Sequence, residues 1–197
     1  MGVNTHYPSV FTIQTEDYLL TRRLELISKP ATTNPNVARF MDFCNAADKG
    51  QAIIANKGFI NMDLSHTYTP LEGMENAPPA YLAATENAKR LPTTLHFTSG
   101  STQADERAVE DIKRIIKILA KPENRKKTVL LIGFTDNKGN PNQNIHLSIQ
   151  RAQSIGTEFA KFGVSAETIG IGQALPIATN ATAAGQNKNR RVEVWLK

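Results

Sequence analysis

Between Lys127 and Thr135 the chain reads KTVLLIGFT, uncharged after its first residue. A strand apolar on both faces belongs in the middle of a sheet covered by helices, so this run limits the possible folds more than any other segment. The next stretch, DNKGNPNQ, holds Gly139 and Pro141 and no apolar residue, which places it in a surface loop. Beyond it, Ala152, Ile155, Phe159 and Phe162 recur at helical spacing until Gly163. The spacing predicts a helix that packs these four side chains inward, with Asn144 placed to cap its start and Gly163 to end it.

The strand, loop and helix carry two charges with complementary chemistry. Asp136 stands at the end of the strand, and Arg151 lies about two turns into the helix. A guanidinium takes a carboxylate in bidentate fashion, and a carboxylate takes an ammonium, so the two together make a receptor for a small zwitterion. The helix N-terminal amides from about Ile145 to Leu147 are expected to add to the anion site, with Leu147 on the same face as Arg151. Such a pair binds; it does not cut. Neither residue is expected to pack in the core, so neither should matter much for thermal stability. Arg190, in NRRVEV, either adds positive charge near this pocket or is an ordinary strand-edge arginine.

The rest of the C-terminal half completes an α/β (α+β) unit. TTLHFT, bounded by Pro92 and Ser99, reads as its first strand, and QADERAVEDIKRIIKILA as an amphipathic helix with Ala108, Ile112, Ile115, Ile116 and Leu119 on one face. TIGIG and RRVEVWL supply two more strands, the last turning Val192, Val194 and Leu196 inward and Arg191, Glu193 and Trp195 outward. The expected order is β-α-β-α-β-β, a sandwich of a mixed sheet and helices, preceded by a small α/β fragment.

GFTDNKG, Asn144, LSIQRAQSI, GIG, Pro176, Asn180, Thr182, Gly185 and NRRVEV follow one another in an order that resembles the OmpA-like C-terminal domain, over roughly residues 91 to 197. This peptidoglycan-binding module is shared with peptidoglycan-associated lipoproteins and flagellar stator proteins. The resemblance implies noncovalent binding of peptidoglycan that anchors the parent protein to the cell wall, with no catalysis and no cofactor. It also implies that Asp136 and Arg151 hold the free amino-acid end of diaminopimelate in the stem peptide, with Asn144 and the backbone of Thr135 in the pocket. Capping explains Asn144 equally well. The implied location is the periplasm, in association with the cell wall or outer membrane of a Gram-negative bacterium. Thr98 stands where the family often has an acidic residue, and Gln186 where it usually has an arginine.

The first part is read differently. FTIQTEDYLLTRRLELIS predicts a strand pair, or a strand with a turn at Glu16 and Asp17. A helix starting at Asn34 and Pro35 puts Val37, Phe40, Met41 and Cys44 on one face, so the lone cysteine is expected to be a buried thiol. QAIIANK reads as a second short helix capped by Gly58, and FINMDL as a strand. DYLLTRRLELI followed by NPNVARFMDFCNAADKGQAIIANKGFINMDL resembles the closing segment of phosphate-type periplasmic solute-binding proteins. The alternative function is therefore a periplasmic solute-binding or sensing protein tethered by the second domain. The expected boundaries are 1–70 for this remnant, 71–90 for a linker around the proline-rich TPLEGMENAPPA, and 91–197 for the binding domain. Unpaired apolar faces on the remnant would favour a homo-oligomer.

The net charge of +5 favours an anionic partner without choosing among nucleic acid, a membrane surface and the acidic wall polymer. Nucleic acid would need stacking aromatics among clustered cations, for which Phe97 and Phe134 are the candidates, and the mixed sheet faces argue against it. DNKGNPNQNIHL lacks the glycine and the final glutamate of a calcium loop, and His6, His66, His96 and His146 follow no metal-ligand spacing. GIGQAL lacks the third glycine of a dinucleotide fingerprint. No apolar run reaches membrane-spanning length and no secretory start is present, so the sequence is expected to be a piece from which an export signal is missing.

Overall fold

The computed structural model describes residues 7–18, 20–29, 31–64, 76–124 and 126–197. Four helices come first: α1 Val10–Gln14, α2 Pro35–Asn45, α3 Gly50–Asn56 and α4 Pro79–Thr85. After them come β1 Lys89–His96, α5 Glu106–Leu119, β2 Val129–Gly133, α6 Pro141–Ala160, β3 Ala166–Gly170, α7 Ala183–Asn189 and β4 Arg191–Leu196. The strands form one mixed sheet in the order β1-β4-β2-β3. β4 runs antiparallel to both β1 and β2, and β2 runs parallel to β3. The apolar run KTVLLIGFT thus supplies an interior strand, and every residue of β2 is buried. The expected β-α-β-α-β-β order is present, with α7 added before the last strand.

One face of the sheet is covered as the spacing predicts. Ala108, Ile112, Ile115 and Leu119 of α5 and Ala152, Ile155 and Phe159 of α6 join Leu91, Leu95, Val129, Leu131, Val192, Val194 and Leu196 in a single core. Asp105 starts α5 by accepting from the Ala108 amide. Phe162, expected inward, is exposed, because α6 ends at Ala160 and Gly163 turns the chain with φ +75°. At the end of β2 and β3, α6 approaches closely. A Cβ on Gly133 would lie 1.9 Å from the Ser148 carbonyl oxygen, and one on Gly170 would lie 2.3 Å from Ser148 Oγ. The glycines of GFT and GIG therefore let the helix settle onto the strand ends that carry the site.

The other face is not open to solvent, contrary to the outward reading of Arg191, Glu193 and Trp195. All six residues of β4 are buried. Tyr81 of α4 meets the Trp195 ring edge-on at 5.9 Å, and Leu130, Ile132 and Phe134 complete this second cluster. Its charges are paired: Glu193 accepts from Arg191 Nε at 3.1 Å and from Trp195 Nε1 at 3.2 Å. Arg90 donates to Asp17 at 2.9 Å and lies 3.5 Å from Glu193. Burial alone would pull the Arg90 pKa down, yet these two carboxylates hold it above the usual arginine value.

β1 begins at Lys89, four residues before the expected TTLHFT, and its register against β4 shifts between Arg90 and Thr94. Pro92 lies inside the shift; it has no N–H for the ladder, and an edge strand tolerates it.

The first part departs most from expectation. Among the described residues of 11–28 there is no strand; Ser9 and Thr12 form a capping box that starts α1, and the turn after it delivers Asp17 to Arg90. FINMDL forms no strand among the described residues; Gln14 Nε2 donates to the carbonyls of Asn61 and Asp63 instead. Leu64 at its end joins the main core. α2 and α3 form where predicted, and Gly58 follows α3 with φ +83°. No residue of α2 is buried, so Cys44 is a half-exposed thiol and not a core one. Of the expected linker, residues 71–75 lie outside the described residues, while α4 packs against the sheet.

Candidate functional site

The loop after β2 and the first turns of α6 bring most of the predicted site residues together. Asn140, and not Asn144, caps α6: its side chain accepts from the Asn142 amide at 2.9 Å, and Pro141 occupies the first helical position. Proline there gives up an N–H that would have no partner and presets φ, so the helix starts four residues earlier than the apolar spacing suggested. The amides of Ile145 to Leu147 consequently lie within the helix, beyond its free first turn. The expected anion cradle at those amides is absent.

Asn144 is buried and serves the loop. Its Nδ2 donates to the Lys138 carbonyl at 3.0 Å and to Gln173 Oε1 at 2.8 Å, and reaches the Asp136 carbonyl at 3.5 Å. Asp136 Oδ1 accepts from the Lys138 amide at 2.9 Å, closing a local turn. The partner of Asp136 Oδ2 is Arg190 Nη1 at 2.6 Å, so the arginine whose role the sequence left open is the one paired with the aspartate.

Arg151 lies beside this pair and is 0% exposed. Its Nη1 donates to the Phe134 carbonyl at 3.1 Å and its Nε to the Ser101 carbonyl at 3.0 Å, with Nη2 3.5 Å from the Thr98 carbonyl. Phe97 links the two arginines, its ring 5.4 Å from the Arg151 guanidinium and its carbonyl 3.4 Å from Arg190 Nε. Among the described residues Arg151 has no ion pair. Burial first, and then the Arg190 cation, push its pKa down to about 10 against the upward pull of Asp136.

The expectation that Asp136 and Arg151 stay out of the core is therefore overturned. Asp136 is 6% exposed, and both residues are fastened to backbone or to a charged partner. Thr135 is buried too: its amide donates to the Gly172 carbonyl at 2.8 Å, while its Oγ1 has no hydrogen-bond partner among the described residues. Leu147 is half-buried one turn before Arg151, and nothing ties it to the cluster beyond its shared helix face.

Sequence reasoning missed Phe97, Thr98 and Ser101 around Arg151, and the part played by Asn180 and Asn189. Asn189 is fully buried, bonds the amides of Ile177 and Ala178, and donates to Asn180 Oδ1, which accepts from the Asn137 amide at 3.3 Å. The signal available was the asparagine of NRRVEV, next to Arg190. Phe97 and Phe134 are buried, so neither offers a stacking face to a nucleobase.

Comparison with known proteins falls on this half of the chain. Residues 96–190 match the OmpA family. The chain is similar to Probable lipoprotein YiaD from Escherichia coli, 37% identical over 109 residues that make up 54% of this chain and 49% of that protein. It is also similar to Peptidoglycan-binding protein ArfA from Mycobacterium tuberculosis, 43% identical over 81 residues, 40% of this chain and 24% of that protein. The chain thus spans about half the length of the first relative and a quarter of the second. Among solved structures, the peptidoglycan-associated lipoprotein from Burkholderia pseudomallei is 20% identical with a TM-score of 0.49, over 53% of this chain and 89% of that one. None of these matches supports a solute-binding origin for residues 1–70.

Proposed function

We propose that the OmpA-like domain at residues 96–190 binds peptidoglycan and anchors its parent protein to the cell wall, with diaminopimelate of the stem peptide as the group recognised. The observation that carries this reading is a charge surplus. Arg190 takes the site's buried carboxylate, Asp136, and among the described residues Arg151 beside it bonds only neutral carbonyls. A buried cation with carbonyl partners gains when a carboxylate replaces them, because charge-assisted bonds are about twice as strong as neutral ones. Asp136 keeps lone pairs for an ammonium, and the free Thr135 hydroxyl lies next to it in the chain. One end of an amino acid, carboxylate to Arg151 and ammonium to Asp136, satisfies both. The similarity to the mycobacterial peptidoglycan-binding protein supports the same polymer. On this reading the protein works at the cell wall, in the periplasm or at the outer membrane, and its chemistry is recognition. Many weak contacts along a polymer give the anchor its strength by avidity.

Co-sedimentation with insoluble sacculi tests the proposal. Sacculi with diaminopimelate at the third stem position should retain the protein, and sacculi with lysine there should not, since lysine lacks the second carboxylate. Equal retention by both would remove diaminopimelate as the determinant, and retention by neither would remove peptidoglycan. Because both side chains are buried, near-isosteric changes are the informative ones. Arg151→Lys, which keeps the charge but loses the guanidinium fork, and Asp136→Asn, which loses the charge, should each weaken retention roughly tenfold or more.

A further inference from the structure

We infer that residues 98–103 are a gate over Arg151, and that a ligand carboxylate reaches the guanidinium only when this loop swings away. The inference rests on the reading of Asp136 and Arg151 as the peptidoglycan site, and it follows from a conflict within that reading. A group with no exposed surface cannot receive a ligand from solvent unless something moves, and Arg151 is 0% exposed.

The partners of Arg151 identify the moving part. Its Nη1 is bonded to the Phe134 carbonyl, just past the end of an interior strand. Its other two donors face the carbonyls of Ser101 and Thr98, both in the loop between β1 and α5. A third loop carbonyl, that of Thr102, accepts from Ser154 Oγ at 2.9 Å, one turn further along α6. Three carbonyls in five residues thus hold the loop against one helix.

Little else holds it. Thr98, Ser99, Gly100, Thr102 and Gln103 are exposed, and the remaining bonds, Ser101 N to the Thr98 carbonyl and Gln103 N to Ser101 Oγ, lie inside the loop and travel with it. Its two ends are fixed by the Phe97–Ala104 bridge and by the Asp105 cap of α5. The loop, TSGSTQ, carries no apolar side chain of its own, and its opening frees the Nε and Nη2 donors of Arg151. The apparent affinity for a carboxylate is then the intrinsic affinity multiplied by the open fraction.

The prediction has a sign. Loosening the closed loop at a point the ligand does not touch should tighten binding, whereas a loop that serves as a wall of the receptor should bind less well when loosened. Ser154→Ala removes one tether and should strengthen retention on diaminopimelate-type sacculi, and affinity for free meso-diaminopimelate, roughly two- to tenfold. Gly100→Ala acts from inside the loop. Gly100 has φ +65° and nothing within 4 Å of an added Cβ, so the methyl penalises the closed turn through backbone strain alone, and affinity should again rise. If the wild type is retained and both variants bind equally or more weakly, the gate is wrong while the site reading stands. If the wild type is not retained on sacculi, the site reading fails and the gate with it.

Discussion

α2 and α5 carry the same sequence signal and meet opposite fates. Val37, Phe40, Met41 and Cys44 fall on one face of α2, as Ala108, Ile112, Ile115 and Leu119 fall on one face of α5. All four α5 residues are in the core, whereas α2 buries none of its residues and leaves Phe40 57% exposed. α5 lies on a sheet; α2 contacts the short α3. Periodicity declares which face of a helix is apolar, and only a facing surface buries it.

The largest expected effect sharpens this contrast directly. Phe159→Ala on α6 should lower unfolding free energy by about 3–5 kcal/mol, and Phe40→Ala on α2 by about 0.5 kcal/mol or less, measured by urea denaturation. Equal losses would mean that α2 is packed after all. Nearly as large is the effect of unpairing a buried charge: Asp136→Ala strands Arg190 and should cost about 3–5 kcal/mol.

Asp17→Ala probes the boundary between the regions. It leaves Arg90 with Glu193 at 3.5 Å as its remaining carboxylate, so a loss of about 3 kcal/mol is expected if residues 9–18 fold as part of the C-terminal unit. An unchanged midpoint would detach that segment. Truncation asks the same of α4. A fragment of residues 76–197 should melt well above one of residues 91–197, which lacks Tyr81 and opens Trp195 to water.

The smallest effect concerns His96. Burial lowers its pKa, outweighing the pull of Glu16 and Asp105, while Arg23 and Arg191 lower it further. The unfolded chain therefore binds this proton more readily than the folded one. Stability from this group is full above about pH 6.5 and declines as pH falls below that value. His96→Gln should flatten the melting-temperature profile between about pH 6.5 and 5, and an unaltered slope would assign the acid sensitivity elsewhere.

The alternation in RRVEVWL and the interior character of KTVLLIGFT are local properties of the sequence, and the structure makes strands of both, but it buries both faces of the first instead of one. Asp136 was recognisable because a charge at a strand end before a polar loop stands out, and Arg151 because it follows on the helix. Their partners were not recognisable. Arg190 lies 54 positions from Asp136, and the Ser101 carbonyl 50 positions from Arg151. Backbone carbonyls carry no sequence signature, and Asn144 reads as a cap or a bridge until the Asn140–Pro141 pair settles where the helix starts.

The sequence by itself determined which segments of the C-terminal half become strands and helices and which faces of them are apolar, because hydrophobic period and turn chemistry act over a few residues. The tertiary structure decided what those faces meet. α4 and the Asp17 turn cover the second face of the sheet, α2 remains uncovered, and a site that reads as an open surface pair is closed over. Burial and charge pairing depend on which distant surfaces come into contact, and that contact exists only once the sheet has assembled.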